Sequence, residues 1–198
     1  ALAQLVRQGK TRYVGISNYS PSETVRMTQL CHAAGLPLAV HQPNYNMLNR
    51  WVEDGLLDVL TGAGLGAAVF SPLSQGLLSD AGLQGPRTGS RAAGTLKAIV
   101  EGVATGERAY GKYDEGDGKE QITTMLAKLN AVAKQRGQSM SQLALSWVLR
   151  NEPVTTAIVG TSSVEQLRLN AAAADNLAFS EEERQTIANL LPPRWGKI

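Results

Sequence analysis

The 198-residue sequence has one cysteine, Cys31, so no disulfide can close within the chain, and that usage fits a reducing compartment. It has two histidines; His32 lies beside Cys31 in a helical stretch with no partner at ligand spacing, which argues against a metal site. Charge of one sign is missing too: 19 Lys+Arg face 17 Asp+Glu, for a net charge of +2 without a basic stripe, so nucleic acid is not an expected partner. No run of about 18 apolar residues is present, so no membrane-spanning helix is expected. The stretch Ala1 to Lys10 lacks the basic flank, apolar core and cleavage site of a secretory signal, and a cytoplasmic protein is the expectation. What is there, 43% hydrophobic against 18% charged residues, excludes a disordered chain. The length suits a single domain over 1–198.

Leu2, Leu5 and Val6 share one helical face that stops at Gly9-Lys10, and 12–17 then reads as a short buried strand. Ser20-Pro21-Ser22-Glu23 opens a helix with a capping serine, proline at the first helical position and glutamate three residues on, and that helix runs to Gly35. A second strand is expected over 38–42, a third helix from about Trp51 to Leu60, and a third strand over 67–71. Residues 76–118 break the pattern: they are Gly-rich and polar, with a weak helical stretch around 96–103, and a loop of that length implies a function. Helices are expected over 122–135 and 139–149, the latter from a box at Ser139, and a fourth strand over 156–160. Boxes at Ser162–Glu165 and Ser180–Glu183 open the last two helices.

Strand and helix alternate four times, and the strands are apolar runs, as in parallel strands covered by helices. A doubly wound sheet and a (β/α)8 barrel compete. Gly62-Ala63-Gly64-Leu65-Gly66 precedes a strand and has the wrong spacing for a dinucleotide turn, which weakens the first. In a barrel the site lies at the strand C-termini, where Ser17-Asn18, Gln42, Ser71 and Gly160-Thr161-Ser162 fall. Four units make about half of such a barrel.

The segments Val14–Tyr19, His41–Asn46, Phe70–Leu78 and Ile158–Leu167 together resemble the aldo-keto reductases, in family order and register over nearly the whole chain. Within that family they look like the branch holding the bacterial glyceraldehyde-3-phosphate reductases and the potassium-channel β-subunits. The resemblance implies a TIM barrel of which this chain covers strands 5–8, and an NADP(H)-dependent oxidoreductase reducing a small aldehyde or ketone. By position it assigns Ser17, Asn18 and Gln42 to the nicotinamide carboxamide, a task suited to groups that both donate and accept. Phe70 would stack on the nicotinamide ring. Ser71, Pro72, Leu73, Gln75, Gly76 and Leu77 would track the pyrophosphate, and Gly160, Ser162, Gln166 and Asn170 would wrap the adenosine and its 2′-phosphate. Residues 76–118 would close over the cofactor. The family's Asp, Tyr, Lys and His tetrad has no matching position, since the resemblance places the start of the chain before the fifth strand. The branch's Gly-Lys-Tyr element is also replaced, by Ser79-Asp80-Ala81-Gly82, which leaves Arg91 as the phosphate cation.

Other patterns carry less. His41, next to Gln42, points to the opposite strand face and reads as structural. Arg87 reads as a solvated loop charge. Gly106 to Lys112 fits G-x-x-x-x-G-K, but Tyr113 replaces the magnesium-holding hydroxyl and no strand precedes it. The acidic run 114–118 lacks calcium-loop spacing. The open strand edges of half a barrel lead to an expectation of association with a second copy.

Overall fold

The computed structural model describes residues 1–86, 88–101 and 118–191, so Arg87, the G-x-x-x-x-G-K match and nearly all of the acidic run lie outside the described residues. The elements are α1 (Leu2–Arg7), β1 (Val14–Ser17), α2 (Pro21–Ala33), β2 (Leu38–Gln42), α3 (Leu56–Ala63), β3 (Gly66–Val69), α4 (Asp80–Leu83), α5 (Arg91–Glu101), α6 (Gly118–Gln135), α7 (Met140–Leu149), β4 (Val154–Ala157), α8 (Val164–Ala171) and α9 (Glu181–Leu190). The four strands form one parallel sheet in the order β1-β2-β3-β4. A doubly wound sheet reverses its strand order part-way, whereas sequential order with right-handed crossovers keeps every helix on one face. Ile16, His41 and Ala67 pair across three strands and are buried on the helix side. Their neighbours Gly15, Ser17 and Gln42 face the other way and are exposed. The strands therefore alternate, where the sequence suggested burial on both faces.

The helical layer is built around α7, on which Met140 and every residue from Leu143 to Val148 are buried, as expected of a helix apolar nearly all round. Trp147 joins a core with Leu126 and Leu129 of α6 and Ile187 of α9, while Val148 joins one beneath the sheet with Leu56, Leu60, Val69 and Val154. Capping boxes at Ser20, Ser139 and Ser180 start α2, α7 and α9.

Besides shifts of a few residues at β1, β3 and α6, four differences from the sequence reading stand out. The third helix is broken: Trp51–Glu53 is a 3-10 turn, and α3 starts only after Gly55, whose φ of 83° is left-handed. β4 occupies 154–157, so 158–160 lie beyond the strand end. Ser163, not Ser162, caps α8 by accepting the Gln166 N–H. Within the expected 76–118 loop the described residues, 76–86, 88–101 and 118, include α4 and α5, so helix begins well before the weak helical stretch expected around 96–103.

Candidate functional site

The site lies where β2, β3 and β4 end. Beyond the strands proper the pairing of β2 and β3 continues, with a parallel bridge between Asn44 and Phe70 and bonds from Phe70 N to Pro43 O (3.0 Å) and Tyr45 N to Phe70 O (3.3 Å). The chain after Phe70 then turns sharply. Ser71 (φ 53°), Ser74 (φ 49°) and Gln75 (φ 56°) are left-handed without being glycine, a conformation that costs about 1–3 kcal/mol each unless the surroundings enforce it. The enforcement is visible. Ser74 N donates to Ser71 O at 2.9 Å, Gln75 Nε2 to Ser71 Oγ at 2.9 Å, Asn46 Nδ2 to Ser71 O at 3.1 Å, and Ser79 Oγ to Gly76 O at 2.6 Å. Strained backbone held this firmly clusters at binding sites.

The turn forms one wall of a cleft of about 310 Å³, a size usual for small-ligand sites. Phe70, Ser71, Pro72, Leu73, Gln75, Gly76, Arg91, Gly160 and Gln166 line it, and so do Ser79, Ile158 and Val159, which sequence reasoning did not single out. Arg91, the first residue of α5, is the charged member of the lining. Hydroxyls and amides of Ser71, Gln75, Ser79 and Gln166 accompany it, so the chemistry suits an anionic, polar ligand. Val159 also borders a second hollow, between α7, β4 and α8, that contains Asn170. Asn170 is buried and its Nδ2 has no hydrogen-bond partner, and a group left in that state awaits either a ligand or water.

Other assigned residues stand elsewhere. Leu77 is fully buried in the core with Leu78 and Leu126, so its side chain does not reach the cleft. Ser162 is exposed outside the cleft, its N–H and hydroxyl both donating to Gln166 Oε1 (2.9 and 3.2 Å). Ser17 Oγ donates to Gln42 O at 2.7 Å, and Asn18 Oδ1 accepts the Asn44 N–H at 3.0 Å, so both already tie β1 to β2. Gln42 is exposed on the open sheet face, opposite His41, which is buried with Nε2 3.2 Å from Tyr19 O.

The replacement at Ser79-Asp80 also has a structural account. Ser79 caps α4 while lining the cleft, and Asp80 turns to the start of α7, accepting the Met140 N–H at 3.2 Å and the Ser141 hydroxyl at 3.4 Å. A carboxylate is favoured at a helix N-terminus. The pattern Ser-Asp-x-Gly is itself a cap signal and could have revealed Ser79. Tyr45 is not poised to give a proton to a ligand: its hydroxyl donates to Glu53 (2.7 Å) and accepts from Asn151 (3.0 Å). Burial, then the Glu53 charge, pushes its pKa above the ordinary tyrosine value. Among the described residues no group of His, Cys, Asp and Glu could hold a metal ion, and no helix is long and apolar enough to cross a membrane.

Sequential parallel strands, with a polar cleft at their C-terminal ends, define an α/β protein built on a parallel sheet. Comparison with known proteins gives the family: residues 1–192 match the model of the aldo/keto reductase family, and the chain belongs to it. It is 44% identical over 187 residues to the L-glyceraldehyde 3-phosphate reductase of Escherichia coli O157:H7, covering 92% of this chain and 50% of the relative. It is 34% identical over 178 residues to a putative voltage-gated potassium channel subunit beta of Schizosaccharomyces pombe, covering 88% and 48%. A holo-form aldo-keto reductase from Bacillus halodurans superimposes with a TM-score of 0.63 at 23% identity, over 96% of this chain and 53% of that one, which speaks for the fold. The chain thus spans about half the length of the curated relatives it matches.

Proposed function

We propose that this chain supplies the cofactor-binding half of an NADP(H)-dependent reductase of small aldehydes or ketones, with its four βα units forming the second half of a (β/α)8 barrel. The observation that carries the reading is a pair of adjoining hollows that share Val159, one at the strand ends with Arg91 and the other along β4 between α7 and α8 with the unpartnered Nδ2 of Asn170. An extended ligand with phosphates at one point and a base at another fits both. Bound there, NADPH would supply the hydride. The chain's own residues would bind and orient it. Gln42, on the open face, would hold the carboxamide, with Ser17 and Asn18 beside it fixing the strand ends. Phe70 would present an apolar surface to the nicotinamide ring. Arg91 and the Ser71–Gly76 turn would take the phosphates, and Gln166 and Asn170 the adenosine. Of the expected covering segment 76–118, the described residues 76–86 and 88–101 would shield the ligand from water. By the family resemblance the proton for the carbonyl would come from a tyrosine outside these residues; Tyr45, committed to Glu53, is not that donor.

The full-length protein tests this. NADPH titrated into it should bind, and adding a small aldehyde should oxidise it; glyceraldehyde 3-phosphate, named in the 44%-identical relative, is the first to try. Binding without turnover would favour a cofactor-responsive regulatory subunit, the reading to which the 34%-identical channel subunit lends weight. Failure to bind NADPH or NADH would overturn both. An intact mass for the native product well above 21.1 kDa would support the half-barrel assignment.

A further inference from the structure

Asn46 has the most fully used side chain near the cleft, yet it does not line it. It is completely buried. Its Oδ1 accepts from Leu48 N (3.0 Å) and Asn49 N (2.9 Å), and its Nδ2 donates to Ser71 O (3.1 Å) and Asn44 Oδ1 (3.4 Å). All the capacity of a carboxamide is thereby engaged. The turn 46–49 does not need the Nδ2 arm, because two backbone bonds between Asn46 and Asn49 (3.1 and 3.2 Å) and the two bonds to Oδ1 already close it. The arm reaches instead to a carbonyl 25 positions away, that of a serine held at φ 53°. That carbonyl also accepts Ser74 N, so it is the anchor of the whole strained turn.

We propose that Asn46 is a positioning residue: by holding the Ser71 carbonyl it keeps Ser71 left-handed and the Phe70–Gly76 wall in the shape that receives a dinucleotide. This rests on the cofactor reading above. The geometry requires an asparagine. Aspartate would still accept the two turn amides but would set an oxygen against the Ser71 carbonyl, and a longer side chain would not fit a fully buried site.

The test compares Asn46→Asp in two backgrounds of the full-length protein, wild type and Ser71→Gly. Glycine adopts a left-handed φ without strain, so it no longer needs the tether. In the wild-type background Asn46→Asp should weaken NADPH binding about tenfold, and it should speed amide exchange at Ser74, Gly76 and Leu77 by a similar factor while α6 and α7 keep their protection. In the Ser71→Gly background the further loss of affinity should fall below about threefold. Equal losses in both backgrounds, or unchanged exchange at 74–77, would overturn the proposal and leave Asn46 a turn former only. Should the buried carboxylate prevent folding, Asn46→Ser makes the same comparison, since its hydroxyl can accept one turn amide and is too short to reach Ser71. If the wild-type protein binds neither NADPH nor NADH, the cofactor reading falls, and the exchange rates at 74–77 still decide whether Asn46 holds the turn.

Discussion

The helical body of α6, α7 and α9 and the open ends of β2, β3 and β4 both bury polar side chains, but they use them differently. In the body, Arg136 donates to Gln138, Glu183, Asn176 and Ala178, and its guanidinium lies 3.8 Å over the Phe179 ring, which in turn meets Trp147 edge-on. With its side chain buried among these partners, that arginine presents no face to a ligand. At the strand ends Asn170 Nδ2 and Ser74 Oγ are buried without partners, and four non-glycine residues, Asn18, Ser71, Ser74 and Gln75, are left-handed. The body has one comparable exception among the described residues, the Trp147 indole N–H. The fold thus satisfies its polar groups in one place and leaves amide, hydroxyl and backbone strain together in another, which is why the proposed ligand site is put in the second.

The sharpest break of that comparison is in the body. Arg136→Met removes the buried member of a half-solvated ion pair and strands the acceptors of Gln138, Asn176 and Ala178, each costing about 1–3 kcal/mol, so denaturant unfolding should show a loss of about 3 kcal/mol or more. Dinucleotide affinity of the folded protein should not change. A variant that lost affinity at full stability would mean the two regions are not separate. At the strand ends the opposite signature is expected. Arg91→Ala should weaken NADPH binding by about 1.5–3 kcal/mol, as for a lost bond to a charged group, with the unfolding midpoint unmoved. Gln42→Ala and Asn170→Ala should each weaken it by about 1–3 kcal/mol. For Asn170→Ala calorimetry supplies a second check: the buried amide has an unpartnered donor in the folded chain, so its removal should not carry the about 1–3 kcal/mol cost of breaking a buried hydrogen bond. A large destabilisation there would show that the amide belongs to the fold after all.

How much of this was legible in the sequence followed from how local each cause was. The capping boxes at Ser20, Ser139 and Ser180 are made by residues three apart, and each stands where its spacing put it. The parallel sheet followed from four apolar runs separated by helical stretches, although the strands themselves bury only alternate residues. The break before α3 was hidden because Trp51, Val52, Leu56 and Leu60 keep a helical apolar period straight through Gly55, whose backbone conformation does not show in that period. β4 was displaced because Ile158 is apolar yet 46% exposed; pairing with β3 sets the strand's limits, not its own hydrophobicity. At the site, lining residues adjacent to one another in the chain, such as those from Phe70 to Gly76, could be proposed from a motif. Leu77, one residue on, could not be separated from them because the turn that buries it depends on Gly82, whose missing Cβ lets the Leu77 and Gly76 carbonyls approach. Asn46 was out of reach for a similar reason, since its partner Ser71 meets it only through the pairing of β2 with β3.

The smallest effect probes the boundary of the satisfied region. Glu183 is half inside the Arg136 cluster and half in solvent, and it also completes the capping box of α9. Burial raises its pKa, but the Ser180 N–H and the Arg136 guanidinium outweigh this and hold the carboxyl below its ordinary 4.5. A depressed carboxylate contributes stability above its unfolded pKa and loses it as pH falls through the lower folded value. Glu183→Gln keeps the box, because the glutamine oxygen can still accept the Ser180 N–H, and it removes the charge facing Arg136 together with the acceptor of that bond, since an NH2 then stands in place of Oε1. The variant should therefore be less stable than wild type at pH 7, by no more than about 1 kcal/mol for a partly solvated pair. The gap should narrow below pH 4.5 and close once the wild-type carboxyl is protonated, as urea unfolding at a series of pH values would read directly. A gap that persisted at the acid end would place the contribution of Glu183 in packing and helix capping, and the charge of Arg136 would then be satisfied by Asn176, Ala178 and Phe179 without it.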